Sequence, residues 1–466
     1  MRERGDLAVV LHSHMPYVEG FGTYPFGEEW LLEAFARSHL PVLDVARDLT
    51  VTVTPVLADQ LEAPGVCERM RDFVCDHRIE RAKLDAAASD ELAPAAAAEV
   101  ERYERALAWM ARPGIEPLDA FRDAAGERGV QLIPSAATHA VLPLVATVPG
   151  RRLQIDAGLR SHRRRFGDAV ALWLPECAYA PGLEALLAER GLGAFCTDQS
   201  PHEPPLDSLA PVRTRSGPLA FTIEWETVSL VWGEGGYPSA DPYLDFHRLS
   251  HNGIRLWSIG GAPYDPGAAS ERARADAADF VASVAGRLDE FAAERGRPGL
   301  LTFAVDTELL GHWWTEGPQW LAEVLRLAPE HGIRPVTLAA AAARHDPEER
   351  PLRASSWGAG KDLTTWDSPR VADLAWAARR LELRLLRAIA AGIPDAAAAR
   401  AARELLAVQA SDWAFLDHRR EAGDYPHDRA VAHAEALLEA IDSAQPHDPR
   451  MRNLAPDLSL APLVEP

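Results

Sequence analysis

Glu176 follows the apolar run Ala169–Leu174 within Trp-Leu-Pro-Glu-Cys-Ala-Tyr, residues 173–179. Asp306 follows a second run, Leu300–Val305, and leads into Thr-Glu-Leu-Leu-Gly-His-Trp-Trp. Two carboxylates at two strand ends, both beside aromatic residues, suit the cleavage of a glycosidic bond. One acid attacks or stabilises the oxocarbenium-like carbon, and the other protonates the leaving oxygen. The plainer reading makes each acid a helix cap, because strand–acid–helix is a common junction. The recurrence of the pattern beside tryptophan weighs against it. Glu308, two residues beyond Asp306, competes for the second role.

Further polar clusters occupy the same kind of position. His12 and His14 flank Ser13 after Leu7–Leu11, and alternate residues on a strand share a face, so both can look into one pocket. They suit hydrogen bonding to sugar hydroxyls or metal ligation. His139 stands in the equivalent place after Val130–Ile133. Tyr17, Tyr179 and Tyr237 lie within or beside these motifs and can steer an acceptor, orient a carboxylate or simply pack a wall. Tryptophan offers the largest face for stacking on a pyranose ring. Trp30, Trp314, Trp357 and Trp366, flanked by Gly, polar or charged residues, are the expected glucan platforms; Trp257, Trp320 and Trp413 are expected in the core.

The elements that must position these groups follow from the apolar pattern. Short β-type runs at Leu7–Leu11, Val51–Leu57, Val130–Ile133, Ala169–Leu174, Gly193–Cys196, Arg255–Ile259 and Leu300–Val305 alternate with helical segments. That alternation predicts an α/β fold with a parallel sheet. Every polar cluster lies just past the C-terminal end of a run, where a parallel barrel collects its chemistry. Residues 1–345 read as this catalytic unit, with a helical insertion at about 61–125. Residues 350–445 read as amphipathic helices rich in Ala, Leu and Arg, and 446–466 as a proline-containing tail, extended or disordered.

The formal net charge of −21 disfavours nucleic acid and anionic membrane partners while tolerating a neutral polymer. Hydrophobic content of 47% across 466 residues supports a large core. Cys67, Cys75, Cys177 and Cys196 show no zinc-type spacing and read as free thiols in a reducing compartment. The N-terminal apolar run is too short and badly flanked for a secretion signal, and no stretch is long enough to span a membrane, so a cytoplasmic location is expected.

His12-Ser13-His14-Met15-Pro16-Tyr17, Ala136-Ala137-Thr138-His139, Trp173–Tyr179, Phe303–Trp314, Ser355-Ser356-Trp357-Gly358 and Gln409–Phe415 together resemble glycoside hydrolase family 57, and within it the α-1,4-glucan branching enzymes. The resemblance covers most of the chain. It implies an incomplete (β/α)7 barrel with a helical insertion and a C-terminal α-helical domain. It implies retaining chemistry without a metal or other cofactor, with Glu176 as nucleophile and Asp306 as general acid/base. The expected substrate-binding set is His12, His14, Trp30, His139, Tyr179, Tyr237, His312, Trp314, Trp357, Trp366 and Asp412, and the expected partner is an amylose- or glycogen-like α-1,4-glucan.

Two departures from the family pattern stand out. Where similar enzymes carry Arg-Asp or Arg-Asn, this chain reads Ile223-Glu224-Trp225-Glu226. The stretch Thr197–Phe221 is short and lacks the tyrosine of the family's mobile loop, so water should compete better for the glycosyl-enzyme. An α-amylase-like hydrolase is therefore the near alternative to branching. A metal-dependent polysaccharide deacetylase, suggested by the histidines, and a catalytically silent glucan-binding protein are the readings from other classes.

Overall fold

The computed structural model describes residues 3–22, 26–443 and 453–465. Its first parallel sheet contains β1 (Gly5–Ser13), β2 (Thr50–Val53), β3 (Gln131–Ile133), β8 (Gly299–Asp306) and β9 (Ile333–Pro335), in the order β3-β2-β1-β8 with β9 also on β1. The second has the order β4-β5-β7-β6, from β4 (Ala171–Trp173), β5 (Ala194–Asp198), β7 (Leu219–Ile223) and the antiparallel β6 (Val212–Arg213). Single backbone hydrogen bonds join the two sheets. Trp173 N–H donates to the Pro134 carbonyl at 2.9 Å and Glu224 N–H to the Thr302 carbonyl at 2.8 Å. This is the incomplete (β/α)7 barrel. β1 is buried along its whole length, as an apolar run covered on both faces requires.

Register places the chemistry at one rim. His12 is paired with Asp306 on β8 and with Thr52 on β2. Asp198 ends β5 opposite Ile223. The β2 run ends sooner than its composition predicts, because Pro55 opens the helix Pro55–Leu61. Arg255–Ile259 is no barrel strand. It takes part only in isolated bridges, with Arg255 drawn to the Glu33 carboxylate. The strand that replaces it, β7, was hidden behind the turn-forming Ser216-Gly217-Pro218.

Between β2 and β3 lies a helical excursion that includes Val66–Val74, Glu80–Ala88, Ala93–Met110 and Asp119–Arg128. Buried ionic contacts tie it to the rim. Arg37 meets Glu99 at 2.5 Å, its Nε donates to the Gly311 carbonyl, and the Tyr103 hydroxyl donates to Glu33. Gly311 has φ 103, and a Cβ there would lie 2.1 Å from the Arg37 carbonyl oxygen, so only glycine lets the loop after Asp306 pass.

The C-terminal helices Ala372–Ala390, Asp395–Val408, Ser411–Arg419 and Tyr425–Asp442 bury Leu381, Leu385, Leu405, Leu406 and Leu437 against Tyr17, Val56 and Ala137 of the barrel side. Each such leucine contributes about 1.5–3 kcal/mol through burial. Residues 444–452 lie outside the described residues, but 453–465 are not the extended or disordered tail expected. Leu454 and Leu463 are buried, Ala455 N–H donates to Asp59 at 2.7 Å, and Arg190 pairs with Glu465 at 2.7 Å. The expectation failed because Pro-rich composition hid the buried anchors Leu454, Ala455 and Leu463.

Candidate active site

Glu176 sits in a one-turn 3-10 segment, Pro175–Cys177, with φ 58 and ψ 21. Cys177 (φ 48) and His139 (φ 58) are also left-handed. Three non-glycine residues in this sparsely populated region at one rim store strain of the kind found at reacting centres. The Ser411 hydroxyl donates to Glu176 Oε1 at 2.8 Å and lies 2.9 Å from His139 Nδ1. Burial, above all, raises the Glu176 carboxyl to about 7; the Ser411 hydrogen bond opposes the rise and the Asp412 charge adds to it.

Asp306 ends β8, partly open to solvent. Burial, then the charges of Glu308 and Glu176, push its carboxyl well above the ordinary value of 3.8. The Glu176 charge is thus among the influences on Asp306, and two carboxylates at one rim disfavour double ionisation. One carboxylic acid and one carboxylate at a shared site is the state a retaining glycosidase starts from. Glu308 is otherwise engaged: it accepts from His14 N–H at 3.1 Å and lies 2.7 Å from His39 Nε2.

The rings of Trp173, His12, His139 and His14 form a stack, with centroid separations of 4.7, 4.7 and 4.2 Å along it. Burial works against charge on His14, but Asp412, Glu308 and Glu176 outweigh it and raise its pKa. Its Nε2 donates to Asp412 Oδ1 at 3.0 Å and its Nδ1 faces Thr54 Oγ1 at 3.1 Å. His12 and His139 are held neutral, first by burial and then by the neighbouring histidines. Among the described residues, no three His, Cys, Asp or Glu side chains are grouped as a metal would require. Instead, both ring nitrogens of His12, Nε2 of His139, Oδ2 of Asp412 and Nε1 of Trp357 are buried without a protein partner. Unmatched donors and acceptors in one place cost free energy unless a polyhydroxylated ligand satisfies them.

Trp357 closes the wall. Its backbone N–H donates to the Glu176 carbonyl at 2.7 Å, and its ring stands edge-on to Trp173 at 5.0 Å and to His12 at 6.4 Å.

Residues 8–353 match the description of glycosyl hydrolase family 57. The chain belongs to glycosyl hydrolase family 57. Residues 374–456 further match the 1,4-alpha-glucan branching enzyme C-terminal region. A probable 1,4-alpha-glucan branching enzyme of Mycobacterium tuberculosis is 33% identical, covering 93% of this chain and 91% of the relative. The crystal structure of a family 57 branching enzyme from Thermococcus kodakaraensis, in complex with glucose, superposes with a TM-score of 0.91 at 27% identity, over 99% of this chain and 97% of that one. That of Pyrococcus horikoshii gives 0.90 at 28% identity over the same shares.

Within this family 57 site the structure brings together Glu176, Asp306, His12, His14, His139, Asp412 and Trp357. Trp366 is buried with Val141 and Ala178, and lines a cavity of about 60 Å³ together with Ser411 and Trp413. Trp30 packs edge-on to Tyr425, which in turn meets Trp413, at the junction with the C-terminal helices. Four expected binding residues face elsewhere. Trp314 is buried against Trp320 and Tyr243. The Tyr179 hydroxyl donates to Glu184 at 2.9 Å rather than to Glu176. The Tyr237 hydroxyl donates to Asp279 on the helix Pro266–Arg295. His312 packs on Phe246 in a buried ionic network, where burial, despite Glu33, depresses it to about 3. In each case an ordinary side-chain partner outcompeted the cleft.

Sequence reasoning missed Ser411, although it precedes Asp412 in a motif already noted, and it left unassigned the exposed pair Trp232 and Trp313, 46% and 40% accessible with centroids 6.0 Å apart. The arginine absent before Trp225 is matched in charge from the helix Pro266–Arg295: Arg287 Nε pairs with the buried Glu224 at 3.1 Å.

Proposed function

We propose that this protein is a retaining 1,4-α-glucan branching enzyme acting on an amylose- or glycogen-like polymer. The observation that carries the reading is the pairing of Glu176 and Asp306 at one rim beside unmatched polar groups. In the first step the Glu176 carboxylate attacks the anomeric carbon while Asp306 gives its proton to the departing 4-oxygen, releasing the shortened chain. In the second, Asp306 removes the proton from a 6-hydroxyl of an acceptor glucan. That oxygen displaces Glu176, which leaves as carboxylate. Two inversions retain the α configuration, and no cofactor is required. His12, His139 and Asp412 supply hydroxyl contacts, Ser411 orients the nucleophile, and Trp357 shapes the reacting subsite.

One observation favours a share of hydrolysis. The segment between β5 and β7 is pinned rather than free: Arg295 pairs with Asp207 at 2.7 Å, and Arg350 donates to the Asp207 carbonyl at 3.0 Å. A pinned segment cannot sweep over the intermediate to exclude water. No helix among the described residues is long and apolar enough to cross a membrane, and the acidic surface suits the proposed neutral polymer in a cytoplasmic setting. Proton NMR of amylose during incubation tests the reading. Growth of the α-1,6 anomeric signal at the expense of α-1,4 is expected. Reducing ends with no α-1,6 signal would establish a hydrolase, and an unchanged spectrum a binding protein.

A further inference from the structure

Lys83 and Lys361 are the only lysines among 48 basic Lys and Arg residues. Lys83 is an exposed partner of Glu80 on the helical excursion. Lys361 is different. It sits at φ 56, and its ammonium ion-pairs with the fully buried Asp198 side chain while standing 3.2 Å from the centroid of the Trp225 ring. Elsewhere the chain uses arginine to neutralise buried acids, as in Arg37–Glu99, Arg165–Asp59 and Arg287–Glu224. Among the described residues, the arginines over aromatic rings approach no nearer than 3.6 Å. A slot between an indole face and a carboxylate suits a compact ammonium better than a planar fork with five donors.

The slot lies at the far end of the segment that carries Trp357. Its near end is bonded to the nucleophile's turn. Tyr179 N–H donates to the Ser355 carbonyl at 2.9 Å, and Trp357 N–H to the Glu176 carbonyl at 2.7 Å. Ser355 Oγ donates to the Asp198 carbonyl at 2.9 Å and lies 3.0 Å from Thr197 Oγ1. Lys361 N–H closes the turn on the Gly358 carbonyl at 2.8 Å. β5, the helix Trp225–Trp232 that follows β7, and the segment 355–361 therefore meet at one charge, two short bond paths from Glu176.

We infer that Lys361 is a positioning residue, an ammonium pin between Asp198 and Trp225 that fixes the Trp357 segment against the nucleophile's turn. Without it Asp198 stays buried without its cation, and the far end of the segment loses its ionic anchor to β5, keeping only the packing of Trp366 beyond it. Trp357 then loses its fixed edge contacts with Trp173 and His12, and the Glu176 carbonyl loses a fixed donor. A displacement of about 1 Å at a reacting centre costs up to about a hundredfold in rate. The pin acts on the chemical step rather than on the grip of distant glucan units.

The inference rests on the proposed glucan chemistry only for its kinetic arm. The test uses the full chain with Lys361→Met, and Asp198→Asn/Lys361→Met as a second variant that removes the unpaired acid. Backbone hydrogen exchange in peptides covering 176–179 and 355–361 should quicken in both variants, with the rest of the barrel unchanged. On a short α-glucosyl fluoride, kcat should fall on the order of tenfold or more with KM little altered. In the double variant the melting temperature should return toward wild type while kcat stays low. Unchanged exchange in both segments would overturn the pin whether or not the protein acts on glucans. Recovery of kcat together with melting temperature in the double variant would reduce Lys361 to a folding role and overturn it as well. A wild type inert on the fluoride, with exchange quickened as expected, would count against the glucan reading and leave the pin supported.

Discussion

Replacing Glu176, the proposed nucleophile, should make the protein more stable. Glu176 is raised to about 7 from an ordinary 4.5, chiefly because its carboxylate is buried. The native state therefore keeps a proton that the unfolded chain releases, and stability falls as pH rises from about 4.5 to about 7. Above that window the folded protein holds an ionised carboxylate in an unfavourable place. The difference of about 2.5 pH units corresponds to about 3–4 kcal/mol at ~1.4 kcal/mol per unit. Glu176→Gln keeps an amide oxygen to accept from Ser411 and removes the charge. Its stabilisation should approach about 3–4 kcal/mol near pH 8.5 and vanish near pH 4.5. With an unfolding entropy of ~2.1 cal/mol/K per residue over the 466 residues, that is a rise of about 3–4 °C in Tm. Calorimetry of wild type and variant at matched ionic strength from pH 5 to 9 reads it directly. A variant less stable than wild type at pH 8.5, or a difference independent of pH, would refute the assignment of Glu176 as a strained, buried acid.

Asp306→Ala should lower kcat/KM by about 10² to 10⁴ on amylose and by much less on an α-glucosyl fluoride, whose leaving group needs no proton; equal losses on both would assign the acid role elsewhere. Ser411→Ala removes the hydroxyl that favours ionised Glu176, so the acidic limb of kcat/KM should move to higher pH by about one unit, given ~1.5 kcal/mol for a hydrogen bond to a charge. An unmoved limb would mean that Ser411 serves packing alone. The pinned Thr197–Phe221 segment predicts a higher ratio of new reducing ends to new branches than in family members with the long loop, counted before and after debranching. Branching almost free of new reducing ends would show that another element excludes water.

Much of this architecture was legible in the chain because apolar runs ended repeatedly in polar clusters. Glu176, Asp306, His12, His14 and His139 each lie at or shortly past the C-terminal end of a strand, and strand ends converge in a parallel barrel whatever the details of packing. Residues whose role depends on a side-chain partner were harder to read. Trp314 stands beside polar neighbours in sequence yet packs on Trp320 and Tyr243, and Tyr179 spends its hydroxyl on Glu184. Ser411 and Lys361 reach the site from segments more than 150 residues beyond Glu176 in the sequence, where no local spacing signals the contact. The missing arginine near Ile223 illustrates the same limit, since Arg287 and Lys361 bring charge to that region from other elements.

The most direct test of a retaining site built on Glu176 and Asp306 is to trap the covalent intermediate. A 5-fluoro-α-glucosyl fluoride slows breakdown of the glycosyl-enzyme relative to its formation, so intact mass should rise by one fluoroglucosyl group and peptide mapping should place it on Glu176. The same treatment should leave Glu176→Gln unlabelled. A label on another residue, or release of the β-configured sugar with no covalent species formed, would contradict the account.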